Sequence, residues 1–358
     1  VGGLWPAVWL LGNLGRATYE ASTNKLWPWS YAKCDRKLQK AQELSGCDVT
    51  EHYSFIKHQG RGATEIDILE VMPGEVGDLP VVSYPVSRPY TTMTLQLAPG
   101  IDPKENRPPS GTRPDMGFTW YEGLQYGHNV SINPFFYGTY LASTSVNEPA
   151  FRSAEESYQC DAVSSMVNLG SSHFEKHHTY RLEWSPTGMV GSGYLKWYVD
   201  GEFKFGVAGK SLNKMMTMIP NEPSSLIFNV AVSTSWGFLD LPTGCAGLYD
   251  CNTDKCGFPE GFCDELPAQM EISSVRIYQN EEDKNQTIGC NPSRYPTAKF
   301  IKAKSSRYMR SSYGSIFTDS DPLKEVKSGT GRCSKDAHCS VSEKTKTGTC
   351  RWGGCRCN

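Results

Sequence analysis

Residues 60–72 read GRGATEIDILEVM, a short apolar stretch that carries three acidic side chains. Its valine, isoleucine and leucine content and the glycines before it predict a β-strand. Alternate residues of a strand face the same side, so Glu65 and Asp67 share one face. Ile66 and Ile68 are then expected to point into the core.

The third acid, Glu70, lies five residues after Glu65 and would face the core in a regular strand. One extra residue near Ile68 and Leu69, a β-bulge, would return Glu70 to the face of Glu65 and Asp67. We expect such a bulge, because it gathers all three carboxyl groups on one surface.

Two carboxylates about 5–5.5 Å apart act as nucleophile and acid/base in retaining glycosidases. A third acid between them would bind the nucleophile, and the three would titrate as a unit. The alternative is an amphipathic strand with a solvated acidic face. Like charges on one face repel, however, and no Lys or Arg lies between Gly62 and Gly74 to relieve them.

The remaining pattern up to residue 280 favours strands joined by turns. Stretches rich in β-branched and aromatic residues are bounded by Gly, Pro, Asn or Asp. Few stretches keep a helical apolar period, and the best of them, Lys33–Leu44, is short. Asp200-Gly201 is typical of a two-residue hairpin turn. Besides Glu65–Met72, the predicted strands are Thr92–Leu97, Thr179–Trp184, Tyr194–Val199, Leu226–Val232 and Met270–Tyr278. We therefore predict an antiparallel all-β sandwich.

Composition excludes several classes of protein. The 358 residues carry 36 basic and 38 acidic side chains, and this near balance argues against a nucleic-acid partner. Thirteen cysteines and two sequons, at Asn129 and Asn285, favour a glycoprotein of an oxidising compartment. The cysteines at 245–263 lack close Cys-x-x-Cys pairs, which favours a disulfide-stapled loop over a zinc site.

Glu65-Ile66-Asp67-Ile68-Leu69-Glu70 resembles the bulged acid motif of glycoside hydrolase family 16. The flanking stretches GLWPAVW at 3–9, GNLGRA at 12–17, WPWSY at 27–31 and GCNPSRYPT at 289–297 are similar to its β-glucan-synthesis-associated branch, the Skn/Kre type of fungi and oomycetes. The resemblance covers roughly residues 2–310.

The resemblance implies a concanavalin-like β-jelly roll whose concave face holds β-glucan. It implies that Glu65 is the nucleophile, Asp67 the helper and Glu70 the acid/base of a retaining glycosidase or transglycosylase in β-1,6-glucan biosynthesis of the cell wall. No cofactor or metal is expected. The branch further implies a secretory-pathway or cell-surface location, with a membrane anchor in the full-length protein.

A glucan cleft needs flat aromatic surfaces on which sugar rings stack. Trp236 is the first candidate by its place in the family, and Trp5 and Trp9 are four apart on one strand face. Core packing remains the alternative for all three. His178 is a further substrate-binding candidate, although a hydrogen-bonded structural histidine is the alternative there.

Three regions are expected: a jelly roll at 1–280, an extended arm at 281–330, and a cysteine module at 331–358. The last five cysteines resemble the first five of a truncated EGF-like module, and a free thiol in an unstructured tail is the alternative. Few residues precede the acid motif, so we expect a fragment whose N-terminal strands are missing. The functional alternative to an enzyme is a non-catalytic glucan-binding or scaffold protein of the wall-synthesis machinery.

Overall fold

A computed structural model gives the architecture of the chain. It describes residues 3–15, 20–50, 53–72, 85–101, 121–133, 139–140, 158–232, 258, 262–280, 282–283, 286, 289, 291–309, 348–351 and 354–357. Within these ranges, no helix has the length and apolar character needed to cross a lipid bilayer.

Strands dominate the described residues. They are β1 (Leu4–Gly12), β2 (Glu65–Met72), β3 (Tyr90–Leu97), β4 (Gln125–Tyr126), β5 (Val130–Ile132), β6 (Thr139–Tyr140), β7 (Gln159–Asn168), β8 (Tyr180–Ser185), β9 (Tyr194–Val199), β10 (Glu202–Ala208), β11 (Ser224–Val232), β12 (Gly348–Arg351) and β13 (Gly354–Cys357). Four short helices accompany them: α1 (Glu20–Thr23), α2 (Ser172–Glu175), α3 (Ala298–Ala303) and α4 (Ser305–Met309).

Two antiparallel sheets form a sandwich. The first sheet has the order β11-β1-β2-β3-β7-β5, with β6 also paired to β7, and the second has the order β4-β10-β9-β8. One apolar core joins them: Ile66 and Leu95 of the first sheet pack with Leu195, Trp197 and Phe205 of the second. The all-β sandwich of the predicted jelly-roll type is thereby confirmed.

Most of the predicted strands are present in nearly the predicted ranges, and the predicted hairpin is confirmed. Strand β9 ends at Val199 and β10 begins at Glu202. The two residues between them have positive φ, 50° at Asp200 and 83° at Gly201, as a type I′ turn requires. In Lys33–Leu44, by contrast, only Gln39–Ala41 forms a 3₁₀ turn. A disulfide joins Cys34 and Cys47 around this segment.

The predicted strand Met270–Tyr278 is not a strand in the structure. Residues 268–280 carry neither helix nor strand. Their apolar side chains point to solvent, and Ile277 and Tyr278 are 72% and 82% exposed. An alternating sequence forms a strand only where a neighbouring strand supplies hydrogen-bond partners, and no described strand pairs with this segment.

The expected extended arm at 281–330 is also wrong over its described part. Residues 298–309 form α3 and α4, and Phe300, Ile301 and Tyr308 are buried. They pack with apolar residues from the start of the chain, among them Leu26 and Phe55. The segment is rich in Lys and Ser, and this composition led to the expectation of an arm. Its apolar residues Phe300, Ile301 and Tyr308 nevertheless lie at helical spacing, and they pack two short helices against the sandwich.

Arg61 connects the start of β2 to Glu222 through a buried ion pair, and to the backbone just before α3 through a hydrogen bond. Arg61, four residues before β2, makes two hydrogen bonds to Glu222, Nε to Oε1 at 2.7 Å and Nη2 to Oε2 at 2.8 Å. Its Nη1 donates to the carbonyl of Pro296 at 3.0 Å. Next to it, a Cβ on Gly62 would lie 2.1 Å from the carbonyl oxygen of Trp29. The start of β2 is therefore fixed by contacts with three distant parts of the chain.

Replacing a buried aromatic of the helical segment tests its packing. Phe300→Ala is expected to lower the free energy of unfolding by about 3–5 kcal/mol, because it empties a fully buried site. Phe174→Ala is the matched control, since Phe174 is 56% exposed, and is expected to change it by at most about 0.5 kcal/mol. Urea unfolding measures both. Equal effects of the two changes would contradict the docked position of α3.

Candidate active site

Strand β2 contains the predicted bulge. On the β1 side, Ala7 pairs with Glu70 and Val8 with Leu69, but Trp9 pairs with Asp67, so one residue of β2 is left over. On the β3 side, the pairing shifts between Asp67, opposite Thr94, and Glu70, opposite Thr92. The extra residue is Ile68, and the expectation of an insertion near Ile68 and Leu69 is confirmed.

The bulge changes which side chains enter the core. Ile66 is fully buried between the sheets, as expected, and beyond the bulge Leu69 and Val71 continue on that side with Tyr180 of β8. Ile68 was expected in the core as well, but it is only half-buried. As the inserted residue it has no regular place in the alternation, so Leu69 takes the core position.

The other side of the first sheet collects the acids on what we call the acid face. It is defined by the β2 residues Glu65, Asp67 and Glu70. Polar residues of β3, Thr92, Thr94 and Gln96, lie directly opposite them. Tryptophans of β1 flank them on the other side. All three acids therefore lie on one surface, away from the core between the sheets.

Glu65 is held by two donors. The indole Nε1 of Trp27 donates to Glu65 Oε2 at 2.5 Å, and the amide Nε2 of Gln96 donates to Oε1 at 2.8 Å. The same amide also donates to Asp67 Oδ2 at 3.2 Å. Both Glu65 oxygens are thus oriented by neutral donors, which stabilise its ionised form without a neighbouring cation.

Glu70 is held more loosely on the other side of Asp67. The hydroxyl of Thr92 donates to Glu70 Oε2 at 3.3 Å, and Trp5 interacts with the carboxyl group so as to lower its pKa. Glu70 and Asp67 are both buried, with exposures of 8% and 1%. Burial disfavours the charged form of a carboxyl group, so protonation of either acid replaces a poorly solvated charge by a neutral group.

All three acids have raised pKa values. Burial raises the pKa of Glu65 to about 7, against hydrogen bonds from Trp27 and Asp67 that lower it. Burial and then the charge of Glu65 raise the pKa of Glu70 to about 8. Burial raises the pKa of Asp67 well above its ordinary value, with the charges of Glu70 and Glu65 adding to it. A protonated Asp67 can then donate to Glu65.

Two of the aromatic candidates lie beside the acids. Trp9 is paired with Asp67 across the β1–β2 ladder, and its Nε1 donates to Asn229 Oδ1 of β11 at 2.7 Å. Trp5 shares that face and packs partly against a small cluster at the Glu70 end. Trp236 lies outside the described residues. Stacking of sugars on Trp5, Trp9 and Trp236 stays a prediction.

The structure places His178 away from the acid face. It immediately precedes the second sheet, and Tyr180, two residues later, packs on the core side of β2. His178 Nδ1 lies 2.6 Å from Asp200 Oδ2, and its ring stacks on His173 with centroids 3.8 Å apart. Its described neighbours are thus Asp200 and His173 and not the three acids, and a role of His178 in substrate binding stays a prediction.

Sequence reasoning missed the donors that hold the acids. Gln96 and Thr92 occupy polar positions of the alternating strand β3. That alternation is the sequence signal that could have indicated that their side chains share a face with the acids of β2. Trp27 comes from a loop, and no local pattern predicts its contact with Glu65. Within the described ranges, no three His, Cys, Asp or Glu side chains are arranged to hold a metal ion.

Comparisons with known proteins point to one family. The family model "Beta-glucan synthesis-associated protein SKN1/KRE6/Sbg1" matches residues 1–101 and 259–321. The first segment contains β1, β2 and β3, and the second contains α3 and α4. The two matched segments are in contact, since Phe300 packs with Leu26 and Phe55.

Individual relatives support the same grouping. The chain is 27% identical to the Candida albicans "Beta-glucan synthesis-associated protein SKN1" over 84% of its residues, and 27% identical to the Saccharomyces cerevisiae protein of that name over 89%. It spans 35% and 36% of the length of those relatives. A "Beta-glucanase" of Paenibacillus polymyxa is 34% identical over 65 residues, which are 18% of this chain and 21% of that protein. No solved structure matches with significance.

The raised pKa values predict a pH-dependent stability. Glu65 and Glu70 ionise with pKa values of about 7 and about 8 in the folded protein but near 4.5 in the unfolded chain. Between these pKa values the folded state binds more protons than the unfolded state does. The stabilisation that the two protonated acids give to the folded state is therefore complete at low pH and is lost as the pH rises. We expect the free energy of unfolding, measured with urea from pH 4.5 to pH 8, to fall more steeply in the wild type than in Glu65→Gln/Glu70→Gln. Identical slopes would contradict the buried, coupled acids.

Proposed function

We propose that the chain, which matches the family model of β-glucan-synthesis-associated proteins over two segments and resembles such proteins over most of its length, is a retaining glycosidase or transglycosylase that acts on β-glucan. The observation that carries the proposal is the bulge at Ile68, because it brings Glu65, Asp67 and Glu70 to one face. This arrangement has the two carboxyl groups that retention of anomeric configuration needs. It also agrees with the resemblance to glycoside hydrolase family 16.

The residues have distinct roles in the proposed double displacement. The ionised Glu65 attacks the anomeric carbon and forms a glycosyl-enzyme, while the protonated Glu70 gives its proton to the leaving glycosidic oxygen. Glu70, now ionised, then removes a proton from the incoming hydroxyl group, which displaces Glu65. Asp67 donates a hydrogen bond to Glu65. The hydrogen bonds from Trp27 and Gln96, which stabilise an ionised Glu65, support this assignment of acid and nucleophile.

The incoming hydroxyl group belongs either to water or to a second glucan. Transfer to glucan, as part of cell-wall β-1,6-glucan biosynthesis, fits the description of the family better than hydrolysis does. We further propose a secretory-pathway or cell-surface location, with a membrane anchor in the full-length protein. The disulfide between Cys34 and Cys47 supports an oxidising compartment.

A non-catalytic glucan-binding or scaffold protein is the second candidate. It is favoured by the pKa values, since burial keeps much of the acid cluster protonated at neutral pH. Neutral carboxyl groups beside the tryptophans of β1 would suit an uncharged polysaccharide. The positions of the donors argue for catalysis instead, because Trp27 and Gln96 both stabilise an ionised Glu65.

Product analysis separates the two candidates. The protein is incubated with β-1,3- and β-1,6-gluco-oligosaccharides, and chain length and new reducing ends are measured. Longer products indicate transfer, and new reducing ends indicate hydrolysis. Glu65→Gln is expected to reduce turnover at least about 1000-fold and to leave glucan binding intact, since it removes the nucleophile but keeps its shape. Binding without turnover in the wild type would support the scaffold candidate, and full turnover in Glu65→Gln would refute the assignment of Glu65.

The pH profile tests the division of roles. We expect kcat/KM to be bell-shaped, with limbs near pH 7 and pH 8 from Glu65 and Glu70. Trp27→Phe removes the donor that lowers the pKa of Glu65 and is expected to move the lower limb to higher pH. A lower limb that stays in place in Trp27→Phe would show that another group controls it.

A further inference from the structure

A tryptophan of the second sheet reaches through the core to the bulge. The indole Nε1 of Trp197, in β9, donates a hydrogen bond of 2.9 Å to the backbone carbonyl of Asp67. Trp197 is fully buried. Asp67 is the last regularly paired residue before Ile68, the residue that β2 has in excess. The bond therefore joins the second sheet to the point where the strand changes register.

The surroundings of Trp197 make this bond specific. An indole N–H is a donor that cannot accept, so a buried one must find an acceptor. Trp197 packs among apolar side chains, and its ring is tilted by 31° on Phe205 with centroids 5.1 Å apart. The Asp67 carbonyl is the acceptor that the structure provides. If β2 changed register, the indole would be left unsatisfied in an apolar core.

We propose that Trp197 is a positioning residue of the acid face, which fixes the bulge of β2 at Ile68 by holding the carbonyl of Asp67 from the core side. The side chain of Asp67 belongs to the acid cluster on one side of the sheet, and its backbone carbonyl accepts the hydrogen bond from Trp197 on the core side. The loss of this bond frees the register that directs Glu70 to the acid face. The predicted effect of Trp197 on turnover rests on the proposed function, whereas its role in fixing the bulge does not.

A matched control separates positioning from general stability. Trp184, in β8, packs partly against the same core, and its Nε1 donates to the carbonyl of Pro220 at 2.7 Å. Trp184→Phe and Trp197→Phe each remove one indole-to-carbonyl bond and keep an aromatic ring. Only Trp197→Phe removes a bond to the acid strand. A purely structural role predicts similar consequences for both changes.

The experiment compares kcat, KM and pH profile on gluco-oligosaccharides. Trp197→Phe is expected to lower kcat on the order of tenfold with KM within about twofold, because misplaced acids slow the chemical step more than they weaken binding. Trp184→Phe is expected to leave kcat and both limbs of the pH profile unchanged. Equal kcat and equal limbs in wild type and Trp197→Phe would overturn the proposal.

Two further measurements keep the test decisive. If Trp197→Phe does not fold, β-(3-benzothienyl)alanine incorporated at position 197 keeps the shape of the indole and removes only its N–H; unchanged kcat overturns the proposal. If the wild type shows no turnover, the protonated carboxyl groups are titrated by infrared difference spectroscopy. Midpoints nearer to ordinary values in the Trp197 variant than in wild type and Trp184→Phe support the positioning role, and unchanged midpoints refute it.

Discussion

A single inserted residue in β2 determines on which side of the sheet Glu70 lies. Because side chains of a strand alternate with a period of two, Glu65 and Glu70, five residues apart, would face opposite sides if Ile68 were regularly paired instead of bulged. The same insertion moves Leu69 into the core in place of Ile68. The packing between the sheets and the composition of the acid face thus follow from one local constraint, and neither can change without the other.

Gathering three carboxyl groups on one buried surface costs stability, and within the part of the chain that the structure describes no basic side chain forms an ion pair with them. Neutral donors surround the acids: Trp27 and Gln96 on Glu65, and Thr92 on Glu70. A cation would hold the acids ionised and remove the difference between nucleophile and acid. Neutral donors leave the pKa values raised, which is the condition under which one acid keeps its proton while its neighbour loses it.

Features set by neighbouring residues could be predicted from the sequence, and features set by distant residues could not. The bulge and the Asp200-Gly201 turn depend on a few adjacent residues, and both were correct. The strand at Met270–Tyr278 was wrong because an alternating pattern cannot say whether a neighbouring strand exists. The contacts of Trp27 and Trp197 with β2 join residues 38 and 130 positions apart, which no local pattern encodes.

The contacts of Arg61 have a consequence for the order in which the protein matures. Its partners Glu222 and Pro296 lie 161 and 235 positions further along the chain. During synthesis, the guanidinium group of Arg61 can bind its carboxylate only after 161 further residues have been made, and its second partner, the carbonyl of Pro296, only after 235. The native contacts of Arg61 are therefore completed only after the described strands of both sandwich sheets have been synthesised.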